Sequence, residues 1–277
     1  MLAMQFFKDL SVSAVSAGFV AVLVGFTSSV AIVFQAAQSF HATPAEITSW
    51  MWALGLGMGL CSLLPSLVLR KPVMIAWSTP GAAVLATAGA AGHFDMAQAV
   101  GAFVVCAALI TLVGLTGWFE RVMNRIPSEI AAGLLAGVLA RFGMDAFAAA
   151  QTALPLILVM LGIHLLARRF VPRYALVATL GAGIAYAALA GQMQWSSITW
   201  EIAVPKFTAP RFDSSAIVSL ALPLFVVTMA SQNLPGVAVI RASGYQLPVS
   251  RLITLTGVAT LVLAPFGAFA LNFSAIT

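Results

Sequence analysis

Charged side chains are scarce in this sequence: Asp, Glu, Lys and Arg together make up 8% of its 277 residues. A soluble domain carries about a quarter charged residues, because its surface must stay hydrated. Hydrophobic residues instead reach 61%, and the mean hydropathy is +1.04. The scarcity of charge excludes a soluble globular domain and a disordered chain, and it indicates an integral membrane protein.

The sequence also has few residues for disulfide, metal or nucleophile chemistry. Its two cysteines, Cys61 and Cys106, lie in apolar stretches without a neighbouring His or Cys, which is typical of small core residues. It has no Gly-x-Ser-x-Gly, no His-Glu-x-x-His and no paired intramembrane aspartates. We therefore expect no enzyme activity, no metal and no cofactor.

Long runs without an ionisable side chain cover most of the chain. The run between Asp9 and His41 is too long for the apolar region of a cleavable signal, and it is long enough to span a bilayer. Because a spanning helix needs about 20 apolar residues, the sequence predicts nine spans and the start of a tenth after Pro265. The spans after the first are predicted at 47–69, 72–92, 96–119, 127–150, 154–167, 174–200, 214–240 and from 252 onward.

Lys and Arg are unevenly distributed between the two sets of connecting loops. With Lys8 placed in the cytoplasm, ten bases fall inside and two, Lys206 and Arg211, fall outside, while Arg141 lies in the membrane. This asymmetry follows the positive-inside rule, so the basic pI of about 9.8 reflects orientation rather than nucleic-acid binding. We expect a protein of the bacterial inner (cytoplasmic) membrane with a cytoplasmic N-terminus.

Tryptophans lie at the predicted membrane boundaries. Trp50 and Trp52 at one outer end and Trp118 at one inner end are typical of interfacial anchors, because indole is apolar with one polar group. Trp195 and Trp200, in the longest outer loop, fit the same role. We expect these rings to lie at the depth of the lipid headgroups.

Two of the predicted spans are not plain helices. Residues 71–83 (KPVMIAWSTPGAA) begin with a proline and β-favouring residues, and Ser78 or Thr79 before Pro80 predicts an N-cap with proline at the first helical position. An extended segment is tolerated at membrane depth only inside protein or beside a cavity; the alternative is a proline-kinked helix. Residues 265–277 repeat this layout seven spans later, and hence in the opposite direction, which predicts an inverted-repeat transporter.

Several stretches resemble the BenE family of benzoate/proton symporters, and the similarity runs the length of the chain. The resemblance is carried by 24–29 (VGFTSS), 76–83 (AWSTPGAA), 126–127 (IP), 141–143 (RFG), 172–175 (PRYA) and 222–233 (LPLFVVTMASQN). It implies an all-α integral membrane fold of the seven-plus-seven inverted-repeat type, with broken spans 3 and 10, shared with nucleobase and sulfate/anion transporters.

On this resemblance, residues 1–277 form a single membrane domain. Residues 10–125 hold the core spans 1–4, residues 126–192 the gate spans 5–7, and residues 213–277 the incomplete second-repeat core spans 8–10. Substrate is expected between the half-helices of spans 3 and 10. Family members continue for four more spans, so the resemblance implies a C-terminally truncated chain of about nine and a half spans, which we expect to insert without transporting unaided.

Polar side chains at membrane depth are costly unless a cavity or a neighbouring helix satisfies them. Residues 231–233 in span 8 are therefore expected either to contact substrate or to hold helices together. Nucleobase transporters carry an acidic residue here, whereas this chain has none; residues 27–29 occupy the symmetry-related place in span 1. The predicted substrate-binding residues are Trp77, Ser78, Thr79, Ser231, Gln232, Asn233, Asn272 and Ser274, with Phe269 and Phe273 beside Trp77 as receivers of an aromatic ring.

Arg141 and Asp145 lie one helical turn apart in span 5, where their charges can neutralise each other. The resemblance places them in the gate, with a stabilising or gating role, and a proton relay is the alternative. Because span 8 has no acid, proton coupling is expected through Asp145, through His164, through the carboxylate of the substrate itself, or through residues beyond Thr277.

The leading hypothesis from the resemblance is a secondary active transporter that imports benzoate or a similar small aromatic carboxylate with protons, by alternating access. The alternative is an uncoupled channel or facilitator for small anions on the same fold. Helix N-termini at Ser78/Thr79 and near Asn272/Ser274 each offer N–H groups and about half a positive charge to an anion. The expected partners are a benzoate-like anion, protons, the lipid bilayer and, as an open alternative, a second copy in a homodimer; nucleic acid is not expected.

Overall fold

The computed structural model describes residues 12–27, 29–92, 94–125, 128–193 and 202–274. Within these ranges the chain is mainly helical, and five helices are long and apolar enough to cross a membrane. They are Pro44–Leu69, Met96–Thr116, Phe147–Phe170, Ser214–Ala242 and Val249–Phe266. The chain is therefore a mostly helical, multi-pass membrane protein, while the count of nine spans stays a prediction.

The described residues form ten α-helical segments and two short strands. In the first half these are α1 (Val12–Thr27), α2 (Val30–Ser39), α3 (Pro44–Leu69), β1 (Ile75–Trp77), α4 (Thr79–Gly92), α5 (Met96–Thr116) and α6 (Trp118–Met123). In the second half they are α7 (Ser128–Phe170), α8 (Ala175–Leu189), α9 (Ser214–Ala242), α10 (Val249–Leu263) and β2 (Leu271–Phe273). Short 3₁₀ turns lie at Pro172–Tyr174 and Ala264–Phe266.

The helices group into two compact units. One unit has the described parts of Met1–Phe26 and Gly137–Glu201, and the other has those of Thr27–Ala136 and Ile202–Thr277. The segment α7 consists of two helices that meet at a kink at Ala153 (φ −135°, ψ 42°), which lies between the predicted spans 127–150 and 154–167. The bend lies two residues before Pro155, whose ring clashes with a preceding carbonyl and removes a helical hydrogen bond.

In the second unit, α3 and α5 start at the same kind of polar cap. Thr43 and Glu46 form a capping box at α3, and Asp95 and Gln98 form one at α5. In each case the cap side chain accepts from a backbone N–H of the first turn, while the later side chain accepts from the N–H of the cap residue. These caps define where each helix begins.

Helices α5 and α10 cross at a reciprocal contact of glycine and threonine. A Cβ on Gly114 of α5 would lie 2.5 Å from the backbone nitrogen of Thr254, and one on Gly257 of α10 would lie 2.7 Å from that of Thr111. Each helix thus presents Thr-x-x-Gly, and each glycine receives the threonine of the other helix. Small residues of this kind let membrane helices pack closely where lipid offers no hydrophobic driving force.

Residues 202–213, which we call the strap, connect to α9 without regular secondary structure. Ser49 of α3 is 1% exposed, and its hydroxyl accepts from the Lys206 N–H at 2.9 Å. At the other end of the strap, the Arg211 guanidinium pairs with the Asp95 carboxylate at 2.7 Å. The strap therefore ties together the N-terminal ends of α3, α5 and α9.

We predict that Gly257→Ala destabilises the protein, because the new Cβ pushes against the Thr111 backbone. Overpacking of this kind costs about 1–3 kcal/mol, which thermal unfolding in detergent would detect as a loss of several degrees. Gly59→Ala is the matched control: Gly59 is also helical, and no atom lies within 4 Å of a Cβ at that position. Equal unfolding temperatures for the two variants would contradict the crossing contact.

Candidate functional site

At the centre of the second unit, β1 and β2 form a two-stranded antiparallel ribbon. Ile75, Ala76 and Trp77 face Phe273, Asn272 and Leu271, respectively. The pairing extends past both ends, since the Ser274 N–H donates to the Met74 carbonyl and the Ser78 N–H to the Ala270 carbonyl, both at 3.0 Å. The extended entry into span 3 is therefore confirmed, and the kinked-helix alternative is wrong.

Side chains from three helices satisfy the outer edges of the ribbon. The Ile75 N–H donates to Ser62 Oγ of α3 at 2.9 Å, and the Leu271 N–H donates to Thr260 Oγ1 of α10 at 3.3 Å. The Phe273 N–H donates to Asn233 Oδ1 of α9 at 3.0 Å. An unpaired backbone amide at membrane depth costs several kcal/mol. These side chains therefore stabilise the ribbon by accepting from its amides.

Helix α4 starts at Ser78, which resolves the choice between Ser78 and Thr79. Ser78 Oγ accepts from the Gly81 N–H at 3.1 Å, and the Ser78 carbonyl accepts from the Ala82 N–H at 2.8 Å. Pro80 consequently occupies the second helical position rather than the predicted first. The helix start is thus largely capped by its own residues, and the Thr79 N–H is the first-turn amide for which the described residues supply no acceptor.

Ser29 connects the break between α1 and α2 to the start of α4. Its Oγ accepts from Trp77 Nε1 at 2.8 Å and from Thr79 Oγ1 at 3.1 Å. Of the predicted span-1 cluster, Ser29 therefore contacts the ribbon. Ser28 and the side chain of Thr27 lie outside the described residues.

Helix α9 is irregular where it meets the ribbon. It has π-helical turns at Ile217–Ala221 and Met229–Asn233, each ending two residues before a proline, Pro223 or Pro235. A proline cannot donate to the residue four positions earlier, and a wider turn accommodates that loss. Gly236 then admits β2, since a Cβ there would lie 2.5 Å from the Phe273 Cβ.

The structure separates the three consecutive polar residues of span 8. Asn233 is fully buried, and its amide nitrogen contacts Met229 Sδ at 3.1 Å while its oxygen holds β2. Gln232 is half-buried beside Asn272, with Gln232 Oε1 3.5 Å from Asn272 Nδ2. Ser231 is exposed. The contacts of Asn233 favour the helix-holding alternative, whereas Gln232 remains open to a ligand.

Alternation along the ribbon separates the predicted residues further. Opposite residues of an antiparallel pair share a face, and successive residues alternate between faces. Asn272 and Ala76 therefore lie on one face of the ribbon, and Trp77 and Phe273 lie on the other face. Asn272 Nδ2 donates to the Phe273 carbonyl at 2.8 Å, and the described residues supply no donor to the buried Asn272 Oδ1. Asn272 and Gln232 therefore form the amide pair of the candidate site.

The predicted aromatic receivers are enclosed by protein. Trp77, Phe269 and Phe273 are 2%, 0% and 1% exposed, respectively. Phe269 belongs to an aromatic cluster in which the rings of Trp50 and Phe103 lie 5.4 Å apart. Trp50 itself is 1% exposed, so its prediction as an interfacial anchor is wrong, whereas Trp118 is 57% exposed as an anchor would be.

The predicted gate residues lie on α7. Arg141 and Asp145 are both in this helix, but their side chains lie outside what the structure describes. His164, also on α7, has Nδ1 3.1 Å from Thr179 Oγ1 of α8, and that hydroxyl donates to the Ala175 carbonyl at 2.7 Å. The proton of the Thr179 hydroxyl is used in this bond, so the hydroxyl oxygen can only accept from the imidazole. In the bond with Thr179, His164 Nδ1 is therefore the protonated donor.

Sequence reasoning missed Ser62 and Thr260, whose hydroxyls receive the edges of the ribbon. A single hydroxyl in an apolar span has no distinctive signal, because most bond to their own helix. The extended segments at residues 71–77 and 271–273 could have indicated that neighbouring spans must supply such partners.

Comparison with known proteins agrees with this architecture. The family model described as "Benzoate membrane transport protein" (BenE) matches residues 8–277. Inner membrane protein YdcO of Escherichia coli (strain K12) is 46% identical over 261 residues, 94% of this chain and 66% of that protein. The benzoate membrane transport protein of Acinetobacter baylyi (strain ATCC 33305 / BD413 / ADP1) is 37% identical over 270 residues, 98% of this chain and 68% of that protein.

The chain thus spans about two thirds of the length of these relatives. A match across nearly all of its residues covers the ribbon, the start of α4 and the irregular part of α9. The chain belongs to the BenE family of benzoate membrane transport proteins.

Proposed function

We propose that this protein is a secondary active transporter of the bacterial inner membrane that imports benzoate or a similar small aromatic carboxylate together with protons. The observation that carries the proposal is the antiparallel ribbon, which holds Asn272 of the amide pair Gln232/Asn272 and leads into the start of α4, within a chain of the benzoate transport family. The Thr79 N–H and the helix dipole favour an anionic oxygen there.

The electrostatics of the candidate site suit a single small anion. Thr79, Gln232, Asn272 and Ser274 carry no formal charge, and neither does any residue of β1, β2 or α4. A carboxylate bound there is compensated by dipoles alone, which limits how tightly it is held and allows release. A lysine or arginine in the same place would bind the anion more strongly and slow turnover.

The proposed inverted repeat is supported by the antiparallel ribbon. Two extended segments seven predicted spans apart pair in opposite directions, and each is held by an irregular point in a helix, at Ser29 for β1 and at Asn233 for β2. In the proposed repeat, the ribbon lies where α4 starts and where the corresponding half-helix of the second repeat is expected to start. Alternating access then consists of spans 1–4 and 8–10 rocking against spans 5–7.

The proposed proton coupling uses the carboxyl group of the substrate. A protonated carboxyl has one acceptor for the Thr79 N–H and one O–H donor, and Asn272 Oδ1 is a buried acceptor to which the described residues donate nothing. Asp145 and His164 are the other two routes in this chain. In a full-length family member that has these residues, uptake into liposomes that depends on an imposed proton gradient would support coupling, and equal uptake without a gradient would support the uncoupled facilitator.

We predict that Gln232→Ala and Asn272→Ala each weaken benzoate binding to the purified chain. Losing one hydrogen bond costs about 0.5–1.5 kcal/mol, and up to about 3 when the partner is charged, so affinity should fall by several-fold to about a hundredfold. Equilibrium binding of radiolabelled benzoate measures this directly.

Gln151→Ala is the matched control, because Gln151 is an exposed amide on α7. It should leave benzoate affinity unchanged. Unchanged affinity in both site variants, with the fold intact, would show that benzoate binds elsewhere. The Arg141/Asp145 region would then be the next candidate site. Absence of any benzoate binding by the wild-type chain would overturn the proposed function.

The proposed topology places Arg70 in the cytoplasm and Lys206 outside, at opposite ends of α3. We predict that a membrane-impermeant thiol reagent added to intact cells labels Lys206→Cys and spares Arg70→Cys. The native Cys61 and Cys106 are buried and should give little background. Labelling of position 70 but not of position 206 would reverse the topology.

A further inference from the structure

The two ends of the second unit carry opposite charge. At the end with the C-termini of α3, α5 and α9, the segments 70–71, 118–125 and 241–251 have six bases and one acid, a net charge of +5. We call these three segments the basic face. At the other end, the segments 41–49, 94–97 and 202–213 have two bases and three acids, a net charge of −1.

The cations at the strap end are neutralised locally. Lys206 pairs with Glu46 at 3.1 Å and Arg211 pairs with Asp95 at 2.7 Å. Each positive charge there already faces a carboxylate. This end therefore offers little attraction to a further anion.

Two cations on the basic face, Lys71 and Arg241, are instead held by neutral oxygens. Lys71 Nζ donates to the Gln246 carbonyl at 2.7 Å, and Arg241 Nη2 donates to Asn124 Oδ1 at 2.7 Å. These bonds orient the two side chains without neutralising them, and a guanidinium has further N–H donors to offer. Their charges are positioned but uncompensated.

A cavity of about 550 Å³ lies beside Arg241 and beside Gln246, the partner of Lys71, between α6, the end of α9 and the loop before α10. Arg241, Asn124 and Gln246 line it together with the apolar Val237, Ile240 and Leu247. Its volume is in the range of small-molecule sites, about 300–1,000 Å³. One wall is thus polar and cationic, and another is apolar.

Glu120 is the acid in this cavity, and its carboxylate is already engaged. Ser250 donates to Glu120 Oε2 from its hydroxyl at 2.6 Å and from its backbone N–H at 3.3 Å. The carboxylate therefore fixes α6 to the start of α10. Its negative charge also weakens the attraction of the cavity for an anion. Removing that charge should therefore raise the affinity of the cavity for an anion.

We propose that this cavity binds a phosphate group, and that its source is the headgroup of an anionic phospholipid. The apolar wall beside the cations suits a group that carries acyl chains. Trp118 and Tyr245, on the same face, are 57% and 40% exposed, as aromatic side chains at headgroup depth are. Basic pockets between membrane helices on the cytoplasmic side bind such headgroups, and the positive-inside count assigns this face to the cytoplasm.

The test compares thermal unfolding of the purified chain with phosphatidylglycerol, phosphatidylcholine or inorganic phosphate added. Phosphatidylglycerol should stabilise the wild type more than phosphatidylcholine does. Arg241→Gln and Lys71→Gln should each weaken apparent phosphatidylglycerol affinity by roughly fivefold, and Glu120→Gln should strengthen it. The lipid-induced shift is compared within each variant, so a lower starting stability does not obscure it.

Arg211→Gln is the matched control, since it removes an arginine from the strap end and should leave the lipid effect unchanged. Equal phosphatidylglycerol effects in the wild type, Arg241→Gln and Lys71→Gln would overturn the site. Stabilisation by inorganic phosphate, lost in the same two variants and without a preference for phosphatidylglycerol, would overturn the lipid as the source. None of these outcomes depends on whether the protein binds benzoate.

Discussion

The fold depends on satisfying the backbone of an extended ribbon that is buried in the protein, out of reach of water. A β-ribbon of two strands leaves one edge of each strand unpaired, and lipid cannot hydrogen-bond to those amides. In this protein Ser62, Thr260 and Asn233 reach in from three different helices to accept from them. The need to satisfy these backbone amides therefore positions α3, α9 and α10 around the ribbon.

This constraint explains why neighbouring polar residues have different roles. Asn233 is used by the backbone of β2, and Ser78 is used by the first turn of α4. Gln232 and Thr79, each one position away, are half-buried and lie at the border of the ribbon. The proposed ligand site consists of the polar groups that remain after the backbone is satisfied, and Thr79, Gln232 and Asn272 carry no charge.

The sequence predicts the parts of this arrangement that local chemistry determines. Pro80 after Ser78 and Thr79 is a local signal for a helix start, and the extended residues before it follow from β-favouring side chains. The structure confirms both. Pro80 occupies the second helical position rather than the first, because the hydroxyl that faces the first turn is that of Ser78.

Tertiary contacts determine the rest, so the sequence could not give them. Ser62 resembles any packing serine until a strand lies beside it, and Trp50 resembles a boundary tryptophan until Phe103 and Phe269 enclose it. Asn233 serves the backbone of β2 whereas Gln232 lies beside Asn272, because adjacent helical residues face directions about 100° apart and only packing decides which direction meets the ribbon.

Disulfide trapping across the ribbon tests its register most directly. In a background with Cys61 and Cys106 replaced by alanine, Ile75→Cys with Phe273→Cys places two cysteines at directly opposed positions. Opposed residues of a non-hydrogen-bonded pair lie about 4.5 Å apart at Cα, within the range of a disulfide, whereas the diagonal pair Ile75→Cys with Leu271→Cys is about 7–8 Å apart. Our account predicts rapid oxidation of the first pair and little of the second; oxidation of the second pair alone, or of neither, would contradict it.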